Sequence, residues 1–326
     1  MPTIRRILVA LKETARRNSP AVEKAAALAR AFGAEIELFH AIETPLFADI
    51  DIGNEGLDEQ RRLISGQARH RLETLTASLS ELGIQVSSRV IWDFPSYEAI
   101  IRRARRFGAD LVIVERHEGR HRAPALLRLT DWELLRLCPV PVLLVKSPEP
   151  YSRPPILAAV DPQHRHAKPA RLDDEILAFA TLFGKKLRGS LHVVHAFRGM
   201  PLVVPTEQYL DPDFVARVQA NARDSARESL DRALRKFSVP AGRRHLVDAS
   251  PLDAIPEIVR ETRSAIVVMG AVSRSGLKSL FVGNTAERLI DRLNCDLLVV
   301  KPTRFRTRVA AKRRGERIIA PAAIHP

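Results

Sequence analysis

The sequence predicts an α/β protein built from two tandem copies of one domain, each a five-stranded parallel sheet with helices on both faces. Three observations predict this class. The chain repeats itself at an offset of 155 residues, as between His40 and His195; short aliphatic runs alternate with longer helical patterns; and those runs are apolar nearly throughout. Apolar strands alternating with helices are typical of parallel sheets that helices cover on both sides.

The repeat runs without a gap from His40 to Lys146, which match His195 to Lys301. Near the start the offset changes by six residues, because ILVALK at 7–12 matches ILAAVD at 156–161; we place the extra residues in the polar loop QHRHAKPARL. The prolines of SPEPYSRPP separate the copies, since proline disfavours regular structure. The predicted domains are 1–148 and 155–302, followed by a basic tail at 303–326.

The second copy illustrates the predicted elements. Its strands are expected at ILAAV (156–160), SLHVVHA (190–196), GRRHLVDA (242–249), AIVVMG (265–270) and CDLLVV (295–300). Helices are expected at 172–187, at 251–263 and, in the first copy, near 55–82. This last helix carries an apolar stripe with gaps of three and four residues, which predicts a buried face rather than a cofactor site. The stripe consists of Ala68, Leu72, Leu75, Leu79 and Leu82.

Composition and charge narrow the class of protein. The two cysteines, Cys138 and Cys295, are far apart and in no metal-binding spacing. No apolar run is long enough for a secretory signal or a membrane span, so we expect a soluble cytoplasmic protein. The formal charge is +14, and residues 302–326 contribute seven basic side chains against one acid. Such a tail could bind nucleic acid or another polyanion; a solvated terminus is the structural alternative.

Ligands of open parallel sheets bind beyond the carboxyl ends of the strands, where the chain direction reverses. In the second copy the loop after the fourth strand leads into a helix that begins near Asn284 and Thr285. The glycines of this loop, with Arg274 and Lys278, would admit a phosphate to the backbone. The alternative is a tight turn in which Asn284 caps the helix. The glycines are Gly270, Gly276 and Gly283.

The segment GAVSRSGLKSLFVGNTAERLIDRLNCDLLVVK, with VD after the first strand, resembles the universal stress protein family. Together with TDWELLRLCPVPVLLVK it resembles the tandem E-type members. The resemblance implies two Rossmann-like domains of the adenine nucleotide alpha hydrolase-like kind, paired as an intramolecular pseudo-dimer. It also implies that PVLLVK (141–146) runs beside DLLVVK (296–301), and that the protein supports survival under stress such as DNA damage, oxidants or growth arrest.

Nucleotide-binding members of the family carry Gly, two residues, Gly, nine residues, Gly and then Ser or Thr. Here the pattern falls on Gly270, Ser273, Gly283 and Asn284, so two of its four positions depart from it. The resemblance implies a site for ATP or another adenine nucleotide, with or without Mg²⁺. The implied site comprises Asp161, Ala196, Met269, Gly270, Ser273, Gly283, Asn284 and Thr285.

The first copy has lost this pattern. Lys12 stands where the second copy has Asp161, and the four motif positions hold Glu115, Glu118, Arg128 and Leu129. Glutamates repel phosphate and no glycine admits it, so we expect no ATP there and one nucleotide per chain at most. Whether the first copy binds an apolar or amphipathic small ligand is a question that the sequence leaves open.

Other candidate residues favour structural roles. The histidine pairs lack convergent partners, so no metal site is expected; the pairs are His117 with His121, His164 with His166, and His192 with His195. His40 and His195 are expected to line crevices or to hydrogen-bond locally. Asp93 and Asp248 are interpreted as helix caps. Trp92 and Trp132 are interpreted as packing residues.

No nucleophile, base and orienting group form a recognisable set, so we expect no enzyme, with slow ATP hydrolysis as the alternative. The leading hypothesis is a stress protein that binds a nucleotide in its second domain and acts through unidentified protein partners. The alternatives are a nucleotide-independent tandem scaffold and a polyanion-binding module that uses the tail. Further dimerisation stays open.

Overall fold

The computed structural model describes residues 2–12, 19–43, 54–116, 125–163, 171–199, 212–270 and 284–312. In this part of the chain the first unit contains β1 (Arg6–Ala10), α1 (Pro20–Phe32), β2 (Glu35–Ile42), α2 (Asn54–Glu81), β3 (Val86–Trp92), α3 (Ser96–Phe107), β4 (Leu111–Glu115), α4 (Ala125–Leu137) and β5 (Val142–Val145). The second unit contains β6 (Ile156–Val160), α5 (Leu172–Lys186), β7 (Leu191–Phe197), α6 (Pro212–Leu234), β8 (Arg244–Asp248), α7 (Pro251–Thr262), β9 (Ile266–Gly270), α8 (Asn284–Arg292) and β10 (Asp296–Val300).

The described strands form one ten-stranded sheet in the order β3-β2-β1-β4-β5-β10-β9-β6-β7-β8. Each unit contributes five parallel strands, as the sequence predicts. Helices cover both faces: α1, α2, α5 and α6 pack on one apolar layer, and α3, α4, α7 and α8 pack on the other. Within the described residues, no helix combines the length and the apolar character that a membrane crossing requires.

The two units meet at an antiparallel pair, β5 with β10, which we call the seam. Leu143 is paired with Leu298, its own counterpart in the repeat. The neighbouring pairs are Leu144 with Leu297 and Val142 with Val299, and the repeat offset of 155 residues converts one of these pairs into the other. A pseudo-two-fold axis therefore passes through the Leu143–Leu298 pair. The predicted pairing of PVLLVK with DLLVVK is confirmed, and it satisfies two strand edges that would otherwise be exposed.

A buried ion pair and its hydrogen bonds connect helix α1, strand β10 and the linker between the units. Lys24 on α1 and Asp296 at the start of β10 lie 2.5 Å apart (Nζ to Oδ2), with side chains only 2% and 0% exposed. Tyr151 in the linker donates to the same carboxylate at 2.5 Å, and the backbone N–H groups of Lys146 and Ser147 donate to its other oxygen. One aspartate of the second unit thus holds the first unit and the linker together.

Helix α2 confirms most of the predicted apolar stripe. Ala68, Leu72 and Leu79 are buried, and Leu75 packs against the same layer. The prediction is wrong for Leu82, which is 53% exposed. The helix ends at Glu81, before Leu82 can complete the stripe, and the chain turns through Gly83 with a φ of 74°.

Residues 303–312 form what we call the C-terminal strap. Val309 is 6% exposed and belongs to the apolar layer on which α3 packs, and its carbonyl accepts a hydrogen bond from Arg105 of α3 at 3.3 Å. Thr303 donates to Glu175 of α5 at 2.6 Å. The structural alternative of a solvated terminus is therefore wrong for this segment, which contacts helices of both units. Residues 313–326 lie outside the described part.

Candidate functional site: two crevices at the switch points

Each unit has a topological switch point, the place where the order of parallel strands reverses along the sheet. It lies between β1 and β4 in the first unit and between β6 and β9 in the second. Lys12 and Glu115 flank the first switch point, at the carboxyl ends of those strands; Asp161 and Gly270 flank the second. Such crevices are where open α/β sheets bind ligands.

The first crevice contains a cavity of about 200 Å³. Apolar side chains from β1, β2, β4, α3 and α4 form most of its wall, and a smaller group of polar residues joins them. The apolar residues are Ala10, Leu11, Phe39, Ala41, Ile42, Ile100, Val114 and Leu134; the polar ones are Lys12, His40, Glu43, Ser96 and Asp131. The cavity is therefore a mainly apolar chamber whose lining includes five polar residues.

Two contacts organise the polar residues of this cavity. Lys12 forms an ion pair with Asp131 of α4. Glu43, just beyond β2, accepts a hydrogen bond from the backbone N–H of Ser96 at 3.3 Å. Ser96 is the first residue of α3, where the helix dipole attracts negative charge. Lys12 occupies the position of Asp161 in the second unit, where the nucleotide-binding pattern has an acid. Here that position holds a base, and the base is paired with a carboxylate.

His40 and His195 play the same part in the two units. His40 Nδ1 lies 2.8 Å from the carbonyl of Leu11, and His195 Nδ1 lies 3.3 Å from the carbonyl of Val160. Each histidine therefore ties the end of the first strand of its unit to the second strand. The predicted local hydrogen bonding is confirmed for both. Burial lowers the pKa of His40, although its bond to Leu11 acts in the opposite direction.

Glu115 and Gly270 occupy equivalent places but do different things. The buried carboxylate of Glu115 accepts hydrogen bonds from the hydroxyl of Ser19 at 2.5 Å and from the N–H of Ala21 at 3.4 Å, both at the start of α1. At Gly270 a Cβ would lie 2.6 Å from a methyl carbon of Leu172, the first residue of α5. Glycine at 270 thus lets α5 approach its strand closely, whatever the crevice binds.

The residues implied for the nucleotide site fall into two groups. Asp161, Ala196, Met269 and Gly270 lie at the carboxyl ends of β6, β7 and β9, which are neighbours in the sheet. The backbone N–H of Asp161 donates to Asp173 of α5 at 3.2 Å. Ser273 and Gly283 lie outside the described residues. Asn284 and Thr285 begin α8, and only their backbone is described.

The histidines form one unexpected contact. His192 faces away from His195 and pairs with His245 of β8, with Nδ1 and Nε2 3.1 Å apart. Burial lowers the pKa of both rings. In the part of the chain that the structure describes, no three His, Cys, Asp or Glu side chains come together as a metal site. The pairs at 117 and 121 and at 164 and 166 lie outside that part.

Two interpretations of acidic residues are wrong. The carboxylate of Asp93 accepts hydrogen bonds from Nε and Nη2 of Arg102, one at each oxygen, and helix α3 begins after Pro95 without a side-chain cap. Asp248 accepts the N–H of Gly199 at 3.1 Å, while α7 begins after Ser250, again without a side-chain cap. Both carboxylates brace the ends of their strands instead.

The tryptophans and cysteines are structural. Trp92 donates from Nε1 to the hydroxyl of Ser65 on α2 at 2.6 Å, and Trp132 packs on the apolar layer of its unit. Neither is among the described residues that line the cavity. Cys138 and Cys295 are buried, which raises the pKa of each thiol to about 12. Thiols with so high a pKa are poor nucleophiles.

Sequence reasoning missed the acidic residues of the cavity, Glu43 and Asp131. Asp131 is 119 residues from its partner Lys12 along the chain, and no spacing rule links the two. Only the order of the strands, which brings α4 over the end of β1, places them together.

A sequence profile of the universal stress protein family matches the chain twice, over residues 3–146 and 154–301. The chain belongs to the universal stress protein family. It is 31% identical to Universal stress protein E of Escherichia coli (strain K12) over 307 residues, 90% of this chain and 92% of that protein. It is 28% identical to Universal stress protein E of Photorhabdus laumondii over 300 residues, 90% of this chain and 94% of that protein. The tandem E-type arrangement expected from the sequence is thus confirmed.

Solved structures of similar proteins support the universal stress protein fold over the full tandem. A protein of unknown function from Pseudomonas aeruginosa PAO1 has a TM-score of 0.68 at 23% identity, with 92% of this chain and 93% of that chain covered. A universal stress protein from Archaeoglobus fulgidus DSM 4304 has a TM-score of 0.58 at 20% identity, with 90% and 96% covered. The fold of the tandem is therefore a known one.

Proposed function

We propose that this universal stress protein supports survival under stress, binds one adenine nucleotide in the crevice of its second unit, and acts through protein partners rather than by catalysis. The observation that carries the nucleotide proposal is the position of Asp161 and Gly270. They flank the switch point between β6 and β9, and α8 begins on the same side of the sheet at Asn284. An acid for the nucleoside and a helix start for the phosphates are what such a site requires.

The first unit argues for a single nucleotide per chain. Its counterpart of Asp161 is Lys12, whose charge is already paired with Asp131. Its counterpart of Gly270 is the buried Glu115, whose carboxylate occupies the start of α1. A negative group at that helix start competes with a phosphate for the same N–H donors. A cavity of about 200 Å³ is also below the range of roughly 300–1,000 Å³ that larger ligands fill.

Calorimetric titration of the nucleotide-stripped protein tests this proposal, with ATP alone and with ATP and Mg²⁺. Asp161→Ala removes the acid and Gly283→Val crowds the phosphate loop; Lys12→Ala is the matched control in the first unit. We expect one nucleotide per chain, binding lost in the first two variants and retained in the control. ATP hydrolysis that Asp161→Ala alters would contradict a purely non-catalytic role.

Absence of heat and of thermal stabilisation at millimolar ATP would contradict the nucleotide proposal and favour the tandem scaffold. A salt-sensitive affinity for DNA that disappears on deletion of residues 303–326 would favour the polyanion-binding alternative instead. The three functions therefore give different results with the same purified protein.

A further inference from the structure

The cavity of the first unit has the size of a small ring compound. An apolar protein cavity of about 150 Å³ holds a benzene molecule, and this one measures about 200 Å³. Its volume thus accommodates one aromatic ring with a short substituent. Phe39, Ile100 and Leu134 contribute the apolar wall on which such a ring would pack.

The polar lining of the cavity offers mainly hydrogen-bond acceptors. Glu43 and Asp131 present carboxylates, which accept only. His40 adds an acceptor because its Nδ1 faces the carbonyl of Leu11 at 2.8 Å. A carbonyl can only accept, so Nδ1 carries the proton and Nε2 of the neutral ring has a lone pair. Lys12 is the charged donor of the lining and is paired with Asp131, and the hydroxyl of Ser96 can donate or accept.

The charges of the lining point the same way. The ion pair of Lys12 with Asp131 cancels one positive and one negative charge, and Glu43 leaves one negative charge over. His40 does not offset it, because burial lowers the pKa of its ring and favours the neutral form. The lining therefore favours a neutral or cationic guest over an anionic one.

We propose that the cavity of the first unit binds a compact, mainly apolar molecule that carries a hydrogen-bond donor, an amine or a hydroxyl, and that it discriminates against the corresponding carboxylate. The apolar body fills the wall and the donor meets Glu43, Asp131 or His40. This site is separate from the nucleotide crevice of the second unit, so its existence does not depend on the proposed function.

Three probes that share one ring test the discrimination: benzylamine, benzyl alcohol and benzoate. Their binding to the full-length protein is measured by NMR titration without nucleotide. We expect benzylamine to bind most tightly, benzyl alcohol next and benzoate at least tenfold more weakly than benzylamine. Glu43→Gln removes the negative charge that the ion pair leaves over and should reduce the preference for benzylamine over benzyl alcohol severalfold.

Ala41→Leu and Ala196→Leu locate the site. Ala41 lines the cavity, and Ala196 is its counterpart in the second unit, so both substitutions add the same bulk at equivalent places. Ala41→Leu should abolish probe binding and Ala196→Leu should preserve it. Thermal unfolding checks that each variant is folded; should Ala41→Leu fail that check, the Glu43→Gln result decides.

Three results would overturn the proposal. These are absence of binding of all three probes, a benzoate affinity equal to or above that of benzylamine, and binding that Ala196→Leu rather than Ala41→Leu removes. None of them bears on the nucleotide proposal, whose decisive variant is Asp161→Ala. Failure of one proposal can thus be distinguished from failure of the other.

Discussion

Lys146 and Lys301, which are equivalent residues of the two repeats, each reach across the seam to the end of a helix in the other unit. Lys146 donates to the carbonyl of Ile290 at 2.5 Å and to that of Leu293, at the end of α8. Lys301 donates to the carbonyl of Arg136 at 3.1 Å, in the last turn of α4. Amino groups at the carboxyl end of a helix donate hydrogen bonds to its unpaired carbonyls, and a positive charge there interacts favourably with the helix dipole. Each unit therefore completes a helix of its neighbour.

Lys301 predicts a pH dependence of stability. Burial lowers the pKa of its ammonium group from the ordinary 10.5 to about 7. Between these values the unfolded chain holds a proton that the folded chain lacks, so the free energy of unfolding rises as the pH rises from 7 towards 10. The gain is at most about 1.4 kcal/mol per pH unit. Below pH 7 both states hold the proton and the gain is absent.

Chemical denaturation at pH 7 and pH 9 checks this expectation. The stability of the wild-type protein should rise relative to that of Lys301→Met between the two pH values. Lys312→Met, at an exposed position of the strap, should follow the wild type. Parallel pH profiles for the wild type and Lys301→Met would contradict the prediction.

The buried pair of Lys24 and Asp296 predicts a large loss on neutralisation of the acid. Asp296→Asn leaves the Lys24 ammonium group buried without its counter-charge, so we expect a destabilisation of about 3 kcal/mol. Asp231→Asn breaks an exposed pair with Arg244 and should cost at most about 1 kcal/mol. Urea denaturation compares the two variants, and losses of similar size would refute the expectation.

Val309 predicts that the strap contributes to folding. Val309→Ala removes buried apolar groups and should lower the free energy of unfolding by about 2 kcal/mol. The neighbouring Ala310 is exposed, and Ala310→Ser should change stability by less than about 0.5 kcal/mol. If the two variants unfold at the same denaturant concentration, the strap does not stabilise the fold in solution.

The backbone beside the linker leaves no room for a side chain at Gly189. A Cβ on Gly189 would lie 2.0 Å from the carbonyl oxygen of Pro154, a backbone atom, so Gly189→Ala should destabilise the protein by about 1–3 kcal/mol. At Gly242 a Cβ would meet nothing within 4 Å, and Gly242→Ala should be nearly neutral. Differential scanning calorimetry of both variants is the measurement. A neutral Gly189→Ala would mean that the linker moves away without cost.

The two strands of the seam were predictable from local sequence, because a similar apolar run ends each repeat. Their pairing was implied by the resemblance to the universal stress protein family. The strand ends that hold Asp161 and Gly270 were likewise predictable from local sequence. The errors concern partners that are far apart or that compete locally. Sequence spacing predicts that Asp93 caps a helix, but its carboxylate binds Arg102 instead. No sequence pattern predicts the ion pair of Lys12 with Asp131.

The docking of the strap could have been predicted from the order of its residues, although not from its composition. In TRFRTRV the basic residues alternate with Phe305, Thr307 and Val309, a period of two that is typical of an extended segment with one buried face. Counting charges alone suggests a solvated tail, and the alternation indicates a docked one. The order of the residues, rather than their total charge, determines which side faces the protein.

The continuous sheet also fixes the stoichiometry of the two crevices. A dimer of separate chains would present two identical crevices and would dissociate on dilution. Here the linker keeps both halves of the seam in one molecule, so their association is independent of concentration. Every molecule carries one crevice of each kind, and mutation can change one of them without changing the other.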